Sequence, residues 1–312
     1  MKALYSLLGF SGGHLGNHCR FFISQLATIV FVVLISLAAL PRTNAATLYG
    51  ATASGGPGEL YILDSTTGGV VQDIGPLHDA LNVNYGITGL AFNPFTGLLY
   101  GSTANSNPDT RAQLVTINPL SGLVTVIGAF NVGNSGTTPS TMSDLSFDPA
   151  TGRLYGIGSV GGPQLYSINL LTGQATVIGN SGLTSTSGGG LAISSSSLFY
   201  GTPTASRFGT YNPATGAYVN IANPDKPAGG GAYAALAFND VGILYGLNSG
   251  PGSPPVTHLV TINPTTGAVT DVGASVNALD AIAFAPVPEP SAMALLALMF
   301  TGLVSKRWMR RG

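Results

Sequence analysis

Residues 90–101 read LAFNPFTGLLYG, and residues 145–156 read LSFDPATGRLYG. Each stretch is a short apolar run, an Asn-Pro or Asp-Pro pair, a Thr-Gly pair, and a second apolar run ending in Tyr-Gly. The Asx side chain caps a turn, Pro presets φ at the next position, and Gly accepts a left-handed bulge that restores strand pairing, so both stretches are tight β-hairpins. The second half recurs. Leu/Phe-Tyr-Gly begins at residues 48, 99, 154, 199 and 244, at intervals of 51, 55, 45 and 45. Each copy is followed by an apolar strand closing on another Asx turn, at Asp64, Asn118, Asn169, Asn212 and Asn263, and then by a short β-branched strand such as Val124-Thr-Val-Ile127. A fourth strand precedes the next Tyr-Gly, at Leu90, Leu145, Leu191, Leu236 and finally Ile282. Periodicity of this kind decides the fold class.

Four antiparallel strands per repeat predict the blades of an all-β propeller, and five copies predict five blades. The first copy begins mid-blade at Thr47, and the last ends in an unpartnered inner strand at 280–284. Pairing those two segments closes the ring from both termini and leaves no open sheet edge. A propeller with another blade count, a β-sandwich and a solenoid are the alternatives. The repeats occupy residues 47–286, between end segments 1–46 and 287–312. They resemble the Tyr-Gly and Asn-Pro-x-Thr-Gly repeats of bacterial secreted propeller proteins, a resemblance that implies a fold and no activity.

Only 7% of the 312 residues are charged, where a soluble domain typically carries about 25%. With 45% hydrophobic residues and a net charge of −1, the chain is not of the disordered class. The 44 Gly and 20 Pro favour short strands and turns over long helices. Seven of the eleven cations lie in residues 1–46 and 305–312; residues 47–286 keep four against eleven acids, a net −7. Without clustered Lys or Arg that body has no means of gripping a polyanion, which excludes nucleic acid as a partner.

The two ends read as addresses. After Lys2 and Arg20, residues 21–40 (FFISQLATIVFVVLISLAAL) carry no charge and lead to Pro41 and small residues near Ala45-Ala46, the layout of a cleaved secretory signal peptide, with an uncleaved anchor as the alternative. The single Cys, Cys19, precedes this run, so the body has neither disulfides nor a thiolate. At the C-terminus, Pro288-Glu289-Pro290 precedes the apolar run 292–304 (AMALLALMFTGLV) and the basic cluster Lys306, Arg307, Arg310, Arg311, with Trp308 suited to an interface. Thirteen residues rise roughly 20 Å as a helix, short of the ~30 Å hydrocarbon core, so this run is marginal as a permanent anchor. The tripartite end resembles the PEP-CTERM sorting signal of Gram-negative bacteria. The resemblance implies an exosortase-type transpeptidase as partner, transient residence in the inner membrane, removal of the tail, and delivery to the cell surface or exopolysaccharide matrix, as in biofilms.

Connections between first and second, and third and fourth, strands of a blade are short Asx turns on one edge. The others, near 75–87, 102–112, 128–142, 222–234 and 247–257, are long and dissimilar and share the opposite edge, where recognition is expected to concentrate. Glu59, Gln113, Gln164, Arg207 and His258 stand at one repeat-equivalent place beside those loops, either a polar ring for a polar ligand or simply the exposed first residues of strands. His78-Asp79, Tyr85 and Asp225-Lys226 lie in the same long loops; His beside Asp suits a base or a metal ligand, but adjacent loop residues are usually solvated. Asp144 and Asp280 are read as equivalent positions that accept backbone hydrogen bonds within loops. The repeated tyrosines 49, 100, 155, 200 and 245 read as blade packing, with sugar stacking as the alternative.

Neither a nucleophile elbow nor a phosphate-binding loop is present, and no cofactor is expected; scattered oxygen ligands leave calcium open, but no Asp-rich twelve-residue loop supports it. The sequence therefore points to an exported, non-enzymatic propeller that binds polysaccharide or protein through its long-loop face. A secreted propeller hydrolase or lyase acting on glycans, with acids such as Asp79, Asp109 or Asp225, is the opposing reading, and a structural coat component with no ligand is a third.

Overall fold

A computed structural model describes residues 46–53, 57–104, 109–135, 138–158, 162–184 and 189–287. All belong to the unit Ala45–Gly312. The signal-peptide region, the Pro-Glu-Pro motif and the basic tail lie outside the described residues. Among the described residues no helix is long and apolar enough to cross a membrane.

Five four-stranded antiparallel sheets are arranged as blades. Blade 1 contains β1 (Leu48–Thr52), β2 (Glu59–Leu63) and β3 (Val70–Pro76), and blade 2 contains β4 (Ile87–Phe92), β5 (Leu99–Thr103), β6 (Gln113–Ile117) and β7 (Val124–Ala129). A two-stranded hairpin, β8 (Asn134–Ser135) and β9 (Thr138–Pro139), follows. Blade 3 is β10 (Met142–Phe147), β11 (Leu154–Gly158), β12 (Gln164–Ile168) and β13 (Ala175–Asn180). Blade 4 is β14 (Gly190–Ile193), β15 (Phe199–Thr202), β16 (Phe208–Tyr211) and β17 (Tyr218–Ala222). Blade 5 is β18 (Ala232–Phe238), β19 (Leu244–Gly252), β20 (Pro255–Ile262) and β21 (Val269–Ala274). The last strand, β22 (Leu279–Phe284), pairs antiparallel with β1, from Leu48 opposite Phe284 to Thr52 opposite Leu279, and becomes the inner strand of blade 1. Closure from both termini is therefore realised. The loop expected at 247–257 is largely ordered pairing, because β19 and β20 run on as one long hairpin to Gly252 opposite Pro255.

Second strands such as β5 are buried at every position, inner strands such as β4 and third strands such as β6 at most positions, and outer strands such as β3 are mostly exposed. Inner strands β22, β4, β10, β14 and β18 contact one another in that cyclic order. Two repeating contacts fasten each blade to the next. Tyr49 packs on Phe92, Tyr100 on Phe147, Tyr155 on Phe199, Tyr200 on Phe238 and Tyr245 on Phe284, with ring centroids 4.8–5.7 Å apart. The tyrosines are thus inter-blade packing residues, and the last pair joins blade 5 to the closing strand.

The second fastening uses glycine. At the outer turn of blade 3, Gly173 has φ +75°, and a Cβ there would lie 2.4 Å from the Gly128 carbonyl oxygen of blade 2. The same approach recurs from Gly216 to Gly179, Gly267 to Ala222, Gly68 to Gly273 and Gly122 to Pro76, which makes a closed ring of five. A side chain at these turns would meet both a disfavoured backbone region and a neighbouring blade.

Candidate functional site

The polar set holds its repeat equivalence but does not converge. Glu59, Gln113, Gln164 and His258 pair with Pro76, Ala129, Asn180 and Ala274, all on third strands, two strands out from the axis. Each side chain is engaged in its own blade. Tyr61 donates to Glu59 and Tyr166 Oη donates to Gln164 Oε1 at 3.0 Å, both i+2 pairs on one strand face. Burial, and then the Glu59 carboxylate, raise the Tyr61 phenol above its ordinary value. Gln113 Nε2 donates to the Asp109 carbonyl at 3.4 Å, while His258 Nδ1 sits 3.1 Å from Asp271 Oδ1. Arg207, exposed just before β16, donates its backbone N–H to the Thr204 carbonyl at 3.4 Å.

His78, Asp79 and Tyr85 are brought together, as a self-capped loop. Asp79 Oδ1 accepts the N–H groups of Leu81 and Val83, each at 2.9 Å, and Oδ2 accepts the Tyr85 hydroxyl at 3.2 Å. The Val83 N–H foremost, then Leu81 and Tyr85, hold the Asp79 carboxyl below the usual carboxylate range. His78 Nδ1 lies 2.9 Å from the Asp79 carbonyl, and the His78 backbone bonds both Gly122 and Val124 of blade 2. These are the bonds of a connector locking two blades. In a separate loop, the Asp225 carbonyl accepts the Tyr233 hydroxyl at 2.6 Å and the Lys226 carbonyl accepts the Gly229 N–H at 3.0 Å. Among the described residues no group of three or more His, Cys, Asp or Glu is placed to hold a metal.

Two features at the axis escape the sequence reading. The first is Asp144, on inner strand β10. By register it is equivalent to Gly89, Gly190, Ala235 and Ala281, and Asp280 corresponds to Ser143, so Asp144 and Asp280 are not equivalent. A bulge residue in the inner strands, present at Asp280 and Ser143, displaces the alignment by one. Four of the five axial positions are Gly or Ala, leaving room for one carboxylate. Asp144 is fully buried; its Oδ1 accepts the Leu145 N–H at 2.8 Å, and its Oδ2 accepts Leu191 and Leu236 N–H at 2.9 and 3.0 Å from the inner strands of blades 4 and 5. Its bonds reach across blades, not within a loop. Burial pushes the carboxyl well above the usual range, against the pull of the three N–H groups.

The second is a funnel of about 280 Å³, of mixed polar and apolar lining, where the inner strands end at the turn edge, opposite the long loops. Phe92, Phe147, Ile193, Phe238 and Phe284, the last residues of the five inner strands, form its wall. Asp240 is its one acidic lining residue. The repeated apolar residue ahead of each inner turn was the visible signal for it.

A family model described as a repeat of unknown function (DUF6923) matches residues 54–237, more than half of the chain, from blade 1 into β18. The chain belongs to this family. No curated protein matches it. Among solved structures, this DUF6923 member is similar to the PQQ-bound aldose sugar dehydrogenase of Streptomyces coelicolor, at 16% identity and TM-score 0.40, covering 61% of this chain and 62% of that one. It is also similar to a putative gluconolactonase, at 12% identity and TM-score 0.46, covering 76% of this chain and 87% of that one. The chain therefore spans under two thirds of the dehydrogenase.

Proposed function

We propose that this protein is exported, sorted through its Pro-Glu-Pro end to the cell surface or matrix, and acts there as a non-enzymatic propeller that binds polysaccharide or protein. One observation supports the non-enzymatic reading most directly: the body's best-placed acids are committed to capping backbone. Asp79 serves Leu81 and Val83, Asp144 serves three inner strands, and Asp148 takes the Ala150 N–H and the hydroxyls of Thr151 and Ser197. Such donors hold the Asp79 and Asp148 carboxyls below the usual carboxylate range, which makes them poor proton shuttles, while Asp144, raised by burial, is enclosed away from any substrate. The long-loop edge, with its varied connectors on a locked ring, supports recognition.

In the producing cell, wild-type protein is expected in the matrix fraction, and Glu289→Gln or loss of residues 305–312 is expected to leave it with the membrane. Purified protein is expected to be retained on the cell's own exopolysaccharide without generating new reducing ends. Unchanged release of the Glu289→Gln variant sinks the sorting reading. Fresh reducing ends that vanish in Asp79→Asn or Asp109→Asn favour the glycan-acting enzyme instead.

A further inference from the structure

The five inner turns are four turns and a gap. Blades 2 to 5 join their first and second strands through 93–98, 148–153, 194–198 and 239–243, but in blade 1 that place is taken by the two chain ends, where the Ala285 N–H donates to the Thr47 carbonyl at 2.9 Å. Ala285 and Pro286 line the funnel itself. The body is thus entered and left at the rim of one face.

That face is apolar at its tips. Phe95 is 69% exposed, Val241 73%, Leu198 51% and Leu98 50%, around the phenylalanine-walled funnel. Neighbouring turns brace one another: a Cβ on Gly152 would lie 2.7 Å from the Phe95 ring, and Ser197 Oγ donates to Asp148 Oδ1 at 2.8 Å. Of the charges on these turns, Asp148 is buried, leaving Arg153 and Asp240. The opposite edge carries Asp79, Asp109, Arg111, Arg207, Asp225 and Lys226. Only four residues, 288–291, separate Val287 from the apolar run 292–304, and five peptide steps span at most about 18 Å.

We infer that the inner-turn face docks on the lipid bilayer holding residues 292–304, with the funnel and turn tips at the headgroup level and the long loops pointing away. The inference rests on reading 292–304 as a membrane segment. Lipid is favoured over a second copy of the chain because the short reach after Val287 brings this face to the bilayer before any partner can cover it. The inner turns present only one exposed cation and one exposed acid, Arg153 and Asp240, so few charges lose water when this face meets the headgroups. Apolar side chains on rigid turn tips around a ring suit shallow interfacial insertion.

The test uses residues 46–312, the chain left by signal-peptide cleavage and without native cysteine, reconstituted in phosphatidylethanolamine–phosphatidylglycerol vesicles and carrying one fluorophore-labelled cysteine, Val241→Cys or Leu81→Cys, the latter residue being 83% exposed on a long loop. Flotation reports the anchor, and quenching by headgroup-proximal spin-labelled lipid reports the face. The expected result is flotation of both, loss of roughly half the emission at Val241→Cys and none at Leu81→Cys, retained when a Gly-Ser spacer is inserted after Val287. Flotation with equal or absent quenching overturns the docking face and leaves the anchor standing, as does quenching that the spacer abolishes. A Val241→Cys emission change that appears without spin-labelled lipid and fades on dilution assigns the face to a second copy. Failure to float overturns both readings.

Discussion

The Asp144 carboxyl is enclosed on all sides, and its two protonation states differ sharply in how well the fold tolerates them. Because burial raises its folded value above the unfolded one, the native state holds the proton more tightly. The stability it contributes is fully present below the ordinary carboxylate value and is lost as pH rises through the folded value. The urea midpoint of the wild type is therefore expected to fall from about pH 4 towards neutrality, and Asp144→Asn, which cannot ionise, to be flatter over that window. Parallel profiles in the two proteins would refute this. Asp144→Ala leaves three N–H groups without an acceptor and is expected to cost about 3 kcal/mol or more below about pH 4, the gap to wild type narrowing as pH rises. The residue was visible as the one acid among small residues before each Leu-Ala-Phe-type strand. Its role was not, because its partners lie 47 and 92 residues away in sequence.

At the scale of the element, the hairpins were legible almost in full. Asn118 illustrates why: its Oδ1 accepts the Leu120 N–H, its carbonyl accepts the Gly122 N–H, and Gly122 takes φ +71°, all within five residues. What a local signal cannot carry is the neighbour. Gly97 and Gly173 occupy the same turn chemistry with φ +69° and +75°, yet a Cβ on Gly97 meets nothing within 4 Å and one on Gly173 meets Gly128. Both alanine variants pay the left-handed strain of about 1–2 kcal/mol, and Gly173→Ala should exceed Gly97→Ala by a further 1–3 kcal/mol or so in urea unfolding. Equal losses would mean that the glycine ring adds nothing between blades. The β19–β20 extension escaped for the opposite reason: Gly250, Pro251, Gly252, Pro254 and Pro255 read as loop, whereas the ladder runs to the hairpin's tip, Gly252 opposite Pro255.

For the molecule as a whole, five copies of one motif and one leftover strand were enough to derive a ring closed by its own ends. The candidate site was harder to read, since the polar ring and the His78 loop are locally satisfied and the funnel arises only when five strand ends meet. Closure also predicts a loss of cooperativity. A chain stopped at residue 278 lacks the partner of Leu48–Thr52 and the ring that Tyr245 packs against, and is expected to melt broadly with early exposure of blade 1 to proteolysis. A sharp transition at the full-length temperature would show that closure is dispensable.

The position of β22 sets how the molecule bears load. Tension between Val287 and something gripped by the long loops runs lengthwise along β22, so its ladder with β1 is loaded in shear and its pairs must yield together. Tension between Val287 and Thr47 instead peels the same ladder from one end, a pair at a time, starting at Leu48 and Phe284. The propeller is mechanically anisotropic: strong along its axis when held by the C-terminus alone, and weak when both ends are pulled apart.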